Sequence, residues 1–222
     1  MSGFGATLPL SGSGAALSSS SDIHKLFHGM SADVDFPEAW GMTTVGPVYL
    51  TRDTNHLSVL LQNVDGHPLD ASQFTFEITG HNNRLNWLNE VMPESDEFVY
   101  TPWSVEQTYS SFDRPEGRGT MEDPEIPAGV LAEFTTSRLM ADMPQRLTVR
   151  LKSTGEEVLS IPLIKYLLLV KGKYNKIDGD QNYLDCYDDF TMMFFIGEGM
   201  TWVKTRIYIN GWRVVPPQDV DM

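Results

Sequence analysis

Two histidines four residues apart, His24 and His28, would stand on one face of a helix as a pair of metal ligands. No third ligand accompanies them, and Gly29 follows at once. Asp178, Asp180 and Asn182 occupy the first, third and fifth positions of a calcium-loop pattern, with Asp189 at the twelfth. That pattern fails where its geometry is strictest. The sixth position needs Gly for a sharp turn and holds Tyr183, and the twelfth lacks the longer Glu that binds bidentately. A solvated acidic loop capping a helix is the better reading. Glu122, Asp123 and Glu125 could supply paired carboxylates, but such pairs abound in an acidic chain and do not by themselves indicate glycoside hydrolysis. The nucleophile elbow is absent from any strand-to-helix context, as are the phosphate loop and the dinucleotide fingerprint. Cys186, the one cysteine, can form neither an internal disulfide nor a zinc site needing two thiolates from this chain. Its neighbours Asp180, Asp185, Asp188 and Asp189 discourage a thiolate, so it reads as an inert thiol. No catalytic constellation, metal site or cofactor site emerges, and the expectation is a protein that is not an enzyme.

Aromatic faces offer a different chemistry. Trp40, Trp87 and Trp103 lie near predicted loops and could form a surface on which sugar rings stack. Core packing at a sheet rim is the competing role. Trp87 and Trp103 are the candidate surface-binding residues.

The elements that would carry these groups are mostly strands. In Asp189 to Ile196, residues Met192, Phe194 and Ile196 line one face of an extended strand and Met193 and Phe195 the other, so both faces need cover. After Gly197-Glu198-Gly199, Val203, Ile207 and Ile209 alternate with Lys204, Arg206 and Tyr208, giving one dry and one wet face. Asn210-Gly211 is either a tight hairpin turn or a kink in one long strand.

Earlier in the chain, residues 1 to 21 are rich in Gly, Ser and Ala, a linker composition for which little order is expected. Val45 to Leu50 and His56 to Gln62 are β-rich runs separated by a turn-like Thr51 to Asn55. Gln73 to Thr79 alternates without error, with Phe74, Phe76 and Ile78 on one side. Residues 104 to 127 read as a long insertion without period. Strands resume at Val130 to Thr136, and Leu147 to Leu151 turns through Ser153-Thr154-Gly155 into Val158 to Ile161, a hairpin. Pro162 opens a predicted helix over Leu163 to Lys171 with a Gly172 stop, and a second short helix follows around Gln181 to Tyr187. Eight or nine short strands with one helical excursion predict a mainly β protein, an antiparallel β-sandwich with a short helical crossover.

The 222 residues, 41% of them hydrophobic, suffice for one large or two small domains with a real core. A formal charge of -14 repels phosphate backbones and anionic membrane faces, so no nucleic-acid partner is expected. No window holds the roughly 20 uninterrupted apolar residues of a spanning helix. The first residues lack a basic stretch and a sustained apolar segment, so they do not read as a signal peptide. Either the protein is cytoplasmic or its true N-terminus lies upstream.

Several short runs occur in a distinctive order. They are Leu26-Phe27-His28-Gly29, Val48 to Asn55, Leu61 to Gly66, Phe74 to Thr79, Thr136 to Met140, Gly155 to Leu163, Asp180 to Asp185, and the closing Ile207-Tyr208-Ile209-Asn210-Gly211-Trp212. Together they resemble the FimB-like fimbrial anchor subunits of type V pili, over about residues 24 to 222. That resemblance implies transthyretin-like β-sandwiches in a two-domain protein, exported as an outer-membrane lipoprotein and holding the base of a pilus assembled by donor-strand exchange. It further implies that residues 1-41 are a flexible linker and remnant of a missing N-terminal domain, and that 42-222 are the C-terminal β-sandwich domain. The expected partners are fimbrial subunits, with the outer membrane reached through a missing N-terminal lipid anchor. The chain departs from the family in having no signal peptide and no lipidation cysteine, since Cys186 lies inside a globular segment.

Donor-strand exchange is β-augmentation, in which backbone hydrogen bonds supply affinity and alternate side chains supply register. Trp202, Val203, Ile207, Ile209, Trp212 and Val214 are therefore the candidate donor-strand or subunit-interface residues, with closure of the domain's own sheet as the equal alternative. A surface adhesin-like module that binds glycan or host protein is the second functional expectation.

Overall fold

A computed structural model describes residues 5–7, 17–30, 41, 43, 46–92, 97–108, 129–174 and 177–215. In chain order the strands are β1 (Gly5–Thr7), β2 (Leu17–Ser19), β3 (Phe27–His28), β4 (Thr51–Arg52), β5 (Thr54–Asn63), β6 (Phe74–Gly80), β7 (Arg84–Asn86) and β8 (Phe98–Tyr100). They continue as β9 (Ser104–Thr108), β10 (Gly129–Ser137), β11 (Arg146–Leu151), β12 (Glu157–Pro162), β13 (Asp189–Ile196), β14 (Trp202–Ile209) and β15 (Trp212–Val214). Helices α1 (Leu163–Leu168) and α2 (Asp180–Cys186) lie between β12 and β13. Six strands form one sheet in the order β15-β14-β13-β5-β10-β9, and five form the other in the order β12-β11-β6-β8-β2. Two further pairs, β1 with β7 and β3 with β4, stand outside them.

The two sheets make the expected sandwich because each has one apolar face to hide. Leu57, Val59 and Leu61 of β5, Val130, Ala132 and Phe134 of β10, and Phe190, Met192 and Phe194 of β13 are all buried in one cluster. Phe74, Phe76 and Ile78 of β6 and Leu147 and Val149 of β11 join the same cluster. The error-free alternation of β6 is reproduced residue for residue, with Phe74, Phe76 and Ile78 buried and Thr75, Glu77 and Thr79 half-buried.

Most pairings are antiparallel, but β13 lies parallel to β5, with Phe190 opposite Leu57, Met192 opposite Val59 and Phe194 opposite Leu61. A parallel neighbour requires a crossover, and the segment holding α1 and α2 supplies it between the sheets. Leu163, Ile164, Tyr166 and Leu167 of α1 and Tyr183 and Leu184 of α2 are buried, so the crossover also closes the core.

The outer face of β13 is covered from within the chain. The Phe195 ring meets Tyr208 edge-on at 6.0 Å and lies under the Arg206 guanidinium at 4.1 Å. Between β13 and β14 the register shifts, since Phe194 faces Ile207 while Ile196 faces Trp202. This irregularity turns Trp202 inward and leaves Val203 half-buried, so the dry face of β14 is Trp202, Ile207 and Ile209 and not Val203. Asn210 and Gly211 have φ of 48° and 78°, the two positive values of a tight hairpin turn, which settles that segment as a turn and not a kink.

Three other expectations are corrected. Residues 46–50 form no strand, and Val48, Tyr49 and Leu50 are exposed. The turn expected at Thr51 to Asn55 is instead buried backbone of β4 and β5, with Arg52, Asp53, Thr54 and Asn55 all buried. Within the Gly/Ser-rich start, Gly5–Thr7 pairs with β7 and Leu17–Ser19 forms the edge of the five-stranded sheet beside β8. Main-chain pairing needs no apolar side chain, so a Gly- and Ser-rich backbone can join a sheet; residues 1–4 and 8–16 lie outside the described residues. Of the insertion expected over 104 to 127, Ser104–Thr108 is strand β9 paired to β10, and 109–128 lie outside the described residues.

Candidate functional site

The C-terminal hairpin forms one side of the six-stranded sheet. Its first strand, β14, is paired to β13 on one edge and, over Ile207 to Ile209, to β15 on the other; among the described residues no strand pairs the outer edge of Trp202 to Arg206. Ile207 and Ile209 are fully buried, and Val214 lies opposite Ile207 with little exposure. Trp202 meets Phe194 edge-on at 6.0 Å, carries Lys204 Nζ 5.9 Å from its ring, and has a buried indole N–H without a partner. At the outermost strand, Trp212 is 47% exposed, with Lys173 Nζ 5.4 Å from its ring, and Val215 beyond it is exposed. The six expected donor-strand residues thus fall into two groups. Trp202, Ile207, Ile209 and Val214 face the core, while Trp212 is presented outward at a sheet edge and Val203 sits between.

The five-stranded sheet ends in β12, whose outer edge borders a cleft of about 600 Å³ lined by Glu157, Leu159, Ser160, Met200, Trp202 and Lys204. Edge strands such as β12 and β15 offer unpaired main-chain donors and acceptors to another strand.

On the outer face of the six-stranded sheet, strand register gathers groups that are far apart in sequence. His56 of β5 lies between Thr135 of β10 and Asp189 of β13. Its Nε2 is 3.9 Å from Glu133 Oε1 and its Nδ1 is 3.6 Å from Asp189 Oδ1. The Trp103 ring stands 6.1 Å from the imidazole, tilted by 36°, and the Trp103 main-chain N–H donates to the Glu133 carbonyl at 2.9 Å. Arg52, almost wholly buried, donates to Asp188, and its Nη1 is 3.9 Å from Asp189. Burial pushes the Asp188 carboxyl up, but the Arg52 hydrogen bond and charge outweigh it and hold the group below the usual carboxylate range. Sequence reasoning found Trp103, and Asp189 only as a calcium-loop position, but did not bring them together or find His56 and Glu133. His56, Glu133 and Asp189 carry no shared spacing, and only the register of three strands brings them together.

A second polar cluster lies beneath the β3–β4 junction. Arg138 makes a two-point contact with the Asp185 carboxylate at 2.8 and 2.6 Å and donates to the Asn89 carbonyl at 2.5 Å. Burial raises the Asp53 carboxyl above its ordinary value, partly opposed by the Asn89 side chain and the charges of His28 and Arg138. Burial likewise raises the Tyr100 hydroxyl, whose O–H donates to Asn82 Oδ1 at 2.8 Å.

The remaining sequence candidates do not converge. His24 and His28 lie on no helix; residues 22–26 are irregular and His28 is in β3. Asp180 pairs with Lys171 at 2.5 Å and Asn182 accepts from Cys186, while Asp189 belongs to the His56 group. The described residues contain no group of three or more His, Cys, Asp or Glu placed to hold a metal ion. Trp87 is 57% exposed on the loop after β7, where Asn86 Oδ1 accepts from the main-chain N–H groups of Leu88 and Glu90. Trp40 and the Glu122, Asp123 and Glu125 group lie outside the described residues.

A family model described as fimbrillin-A associated anchor proteins Mfa1 and Mfa2 matches residues 13–216. A crystal structure from Bacteroides thetaiotaomicron, provisionally described as an adhesin, is 33% identical with a TM-score of 0.67, over 78% of this chain and 58% of that one. A second from the same organism, provisionally described as polysaccharide binding, is 25% identical with a TM-score of 0.72, over 92% of this chain and 64% of that one. The fimbrial anchor protein Mfa2 from Porphyromonas gingivalis shares the fold at 19% identity and a TM-score of 0.61, over 91% of this chain and 64% of that one. The chain therefore spans between 58% and 64% of the length of these structures. No curated protein sequence matches it.

Proposed function

The chain belongs to the family of fimbrillin-A associated anchor proteins, and on that footing we propose that it is a non-enzymatic structural subunit that anchors and assembles fimbriae at the bacterial cell surface. The observation that carries this reading is the family match over residues 13–216, nearly the whole chain. In this reading residues 42-222 are the C-terminal sandwich, residues 1-41 lead from a further domain, and a lipid anchor N-terminal to these residues holds the protein at the outer membrane. Its partner is a fimbrillin subunit, engaged by strand addition at the C-terminal hairpin.

The geometry supports β15 as the point of contact, because it covers β14 over Ile207 to Ile209 and is itself an edge strand with Trp212 exposed. A partner strand laid along β15 would extend the six-stranded sheet and bury the Trp212 ring. Size-exclusion co-elution of the purified chain with fimbrillin tests this directly. A complex is expected, weakened about tenfold or more by Trp212→Ala, the range of an aromatic hot spot. Failure of the unaltered chain to bind fimbrillin refutes the anchor reading, and equal binding by Trp212→Ala removes β15 from it.

A second reading is an adhesin-like module that binds glycan at an exposed tryptophan. It is supported by Trp87 and Trp103, which remain at least one-third exposed beside the sheets, and by the descriptions of two similar structures as an adhesin and as polysaccharide binding.

A further inference from the structure

The outer face of the six-stranded sheet is not uniform. Taken across the strands, Glu133, Ser58 and Thr191 stand side by side on β10, β5 and β13, and the last two are short. The next row to one side is apolar, with Leu60 and Met193 in register and Tyr208 beyond them. To the other side His56 and Asp189 stand in register, with Trp103 against the imidazole. Same-face rows are about 7 Å apart along a strand, and neighbouring strands are about 4.8 Å apart. Ser58 and Thr191 are therefore the floor of a shallow trough that Glu133 closes at one end, the three residues spanning about 10 Å across their strands. One wall is apolar, and the other joins an aromatic ring to an imidazole and a carboxylate.

We infer that this trough binds a short, uncharged saccharide, with Trp103 as the stacking face and Glu133 and Asp189 as acceptors for sugar hydroxyls. The inference rests on the second reading above and assigns its ligand class and place. Three features select that ligand. The groups around the floor are mixed acceptors and donors, namely two carboxylates, two hydroxyls and an imidazole, which suit vicinal hydroxyls of a ring. Trp103 is 36% exposed, its main chain is fixed by the hydrogen bond to Glu133 and its ring stands 6.1 Å from the His56 imidazole, which lowers the ordering cost of presenting the free part of the ring. Two carboxylates at the trough and a net charge of -14 disfavour a uronate or sulfated chain. Trp87, by contrast, stands on a loop whose polar groups bond within the loop itself, through Asn86 Oδ1 and a 3.0 Å bond from Asn86 Nδ2 to Glu90.

Affinity electrophoresis of the full chain through gels containing mannan, galactan or a neutral glucan tests the inference, with polygalacturonate as the acidic control and oligo-lysine as a cationic competitor. Retardation by at least one neutral polysaccharide is expected, with apparent affinity reduced about fivefold or more in Trp103→Ala and in Glu133→Gln. Ser153→Ala, in the exposed turn between β11 and β12, should migrate as the unaltered chain does, and polygalacturonate should retard neither protein. Ser58→Phe fills the floor from the solvent face and should also abolish retardation, which keeps the test open should Trp103→Ala fail to fold. Retardation lost only in Trp87→Ala would overturn the trough while leaving a glycan-binding module standing. No retardation by any neutral polysaccharide would overturn both. Binding of oligo-lysine in place of glycan would make the trough a cationic-peptide site and overturn the inference.

Discussion

Phe194→Ala is the substitution that most directly tests the placement of the C-terminal strands. The Phe194 side chain is fully buried, with Leu61 opposite on the parallel side, Ile207 opposite on the antiparallel side and the Trp202 ring edge-on at 6.0 Å. Truncation removes the transfer energy of the ring and leaves a cavity, together costing about 3–5 kcal/mol. The upper half of that range is expected, because the neighbouring groups belong to hydrogen-bonded strands that cannot collapse into the void without breaking register. Loss of the edge-on aromatic pair is part of that cost, at about 0.5–1.5 kcal/mol. Against a total stability of roughly 5–15 kcal/mol the variant should still fold. With a urea slope of about 2 kcal/mol per molar, the midpoint should fall by about 2 M. Thr191→Ala is the control, since Thr191 is on the same strand but exposed to solvent, and its midpoint should move by less than about 0.3 M. Equal midpoints for the two variants would refute the assignment of Phe194 to the core and with it the register of β13 against β5.

Two further outcomes follow from backbone and charge. Gly211 has a φ of 78°, so Gly211→Val forces a β-branched residue into the left-handed region at a cost of about 1–2 kcal/mol; a lowered melting temperature with fimbrillin binding weakened in parallel is expected, and an unchanged melt would mean that the hairpin turn is not as described. Because burial raises the folded pKa of Asp53 above its unfolded value, its contribution favours the fold at low pH and declines as pH rises from the unfolded value through the folded one. Asp53→Asn should remove that decline, so the variant gains stability relative to the unaltered chain at pH 7 and not at pH 3; a greater gain at pH 3 would reverse the sign and refute the buried-carboxylate account.

Much of the sandwich was legible because its strands obey simple periodicity. Phe74, Phe76 and Ile78 bury as their alternation demands, and Leu147 to Ile161 forms the hairpin that its Ser-Thr-Gly turn announces. The helical crossover also appears where Pro162 and the Leu-rich run place it. Periodicity failed where neighbours overrode it. Trp202 turns inward and Val203 does not because the register shifts opposite Phe195, and a bulge has no signature in the alternation of one strand. Thr51 to Asn55 has the composition of a turn, yet several of its polar groups find partners in the interior: Arg52 Nη1 donates to Asp188, and Asn55 accepts from the N–H of Leu139 at 3.1 Å.

The candidate sites divide along the same line. Trp212 and Trp103 could be named from residue type alone, since large aromatics near a turn or rim are the usual currency of recognition. The trough could not, because His56 is brought within 3.9 Å of Glu133 and 3.6 Å of Asp189 only by the pairing of β5 with β10 and β13.

From its sequence alone the chain was committed to β structure, an acidic surface, a helical crossover and an aromatic C-terminal hairpin, because these depend on local alternation, turn chemistry and summed charge. Tertiary structure alone decided that β13 runs parallel to β5, that β14 joins the sheet between β13 and β15, and which side chains share the outer face. Those outcomes rest on hydrogen bonds and packing between residues as far apart as His56 and Asp189, and such pairings leave no periodic trace in either strand by itself.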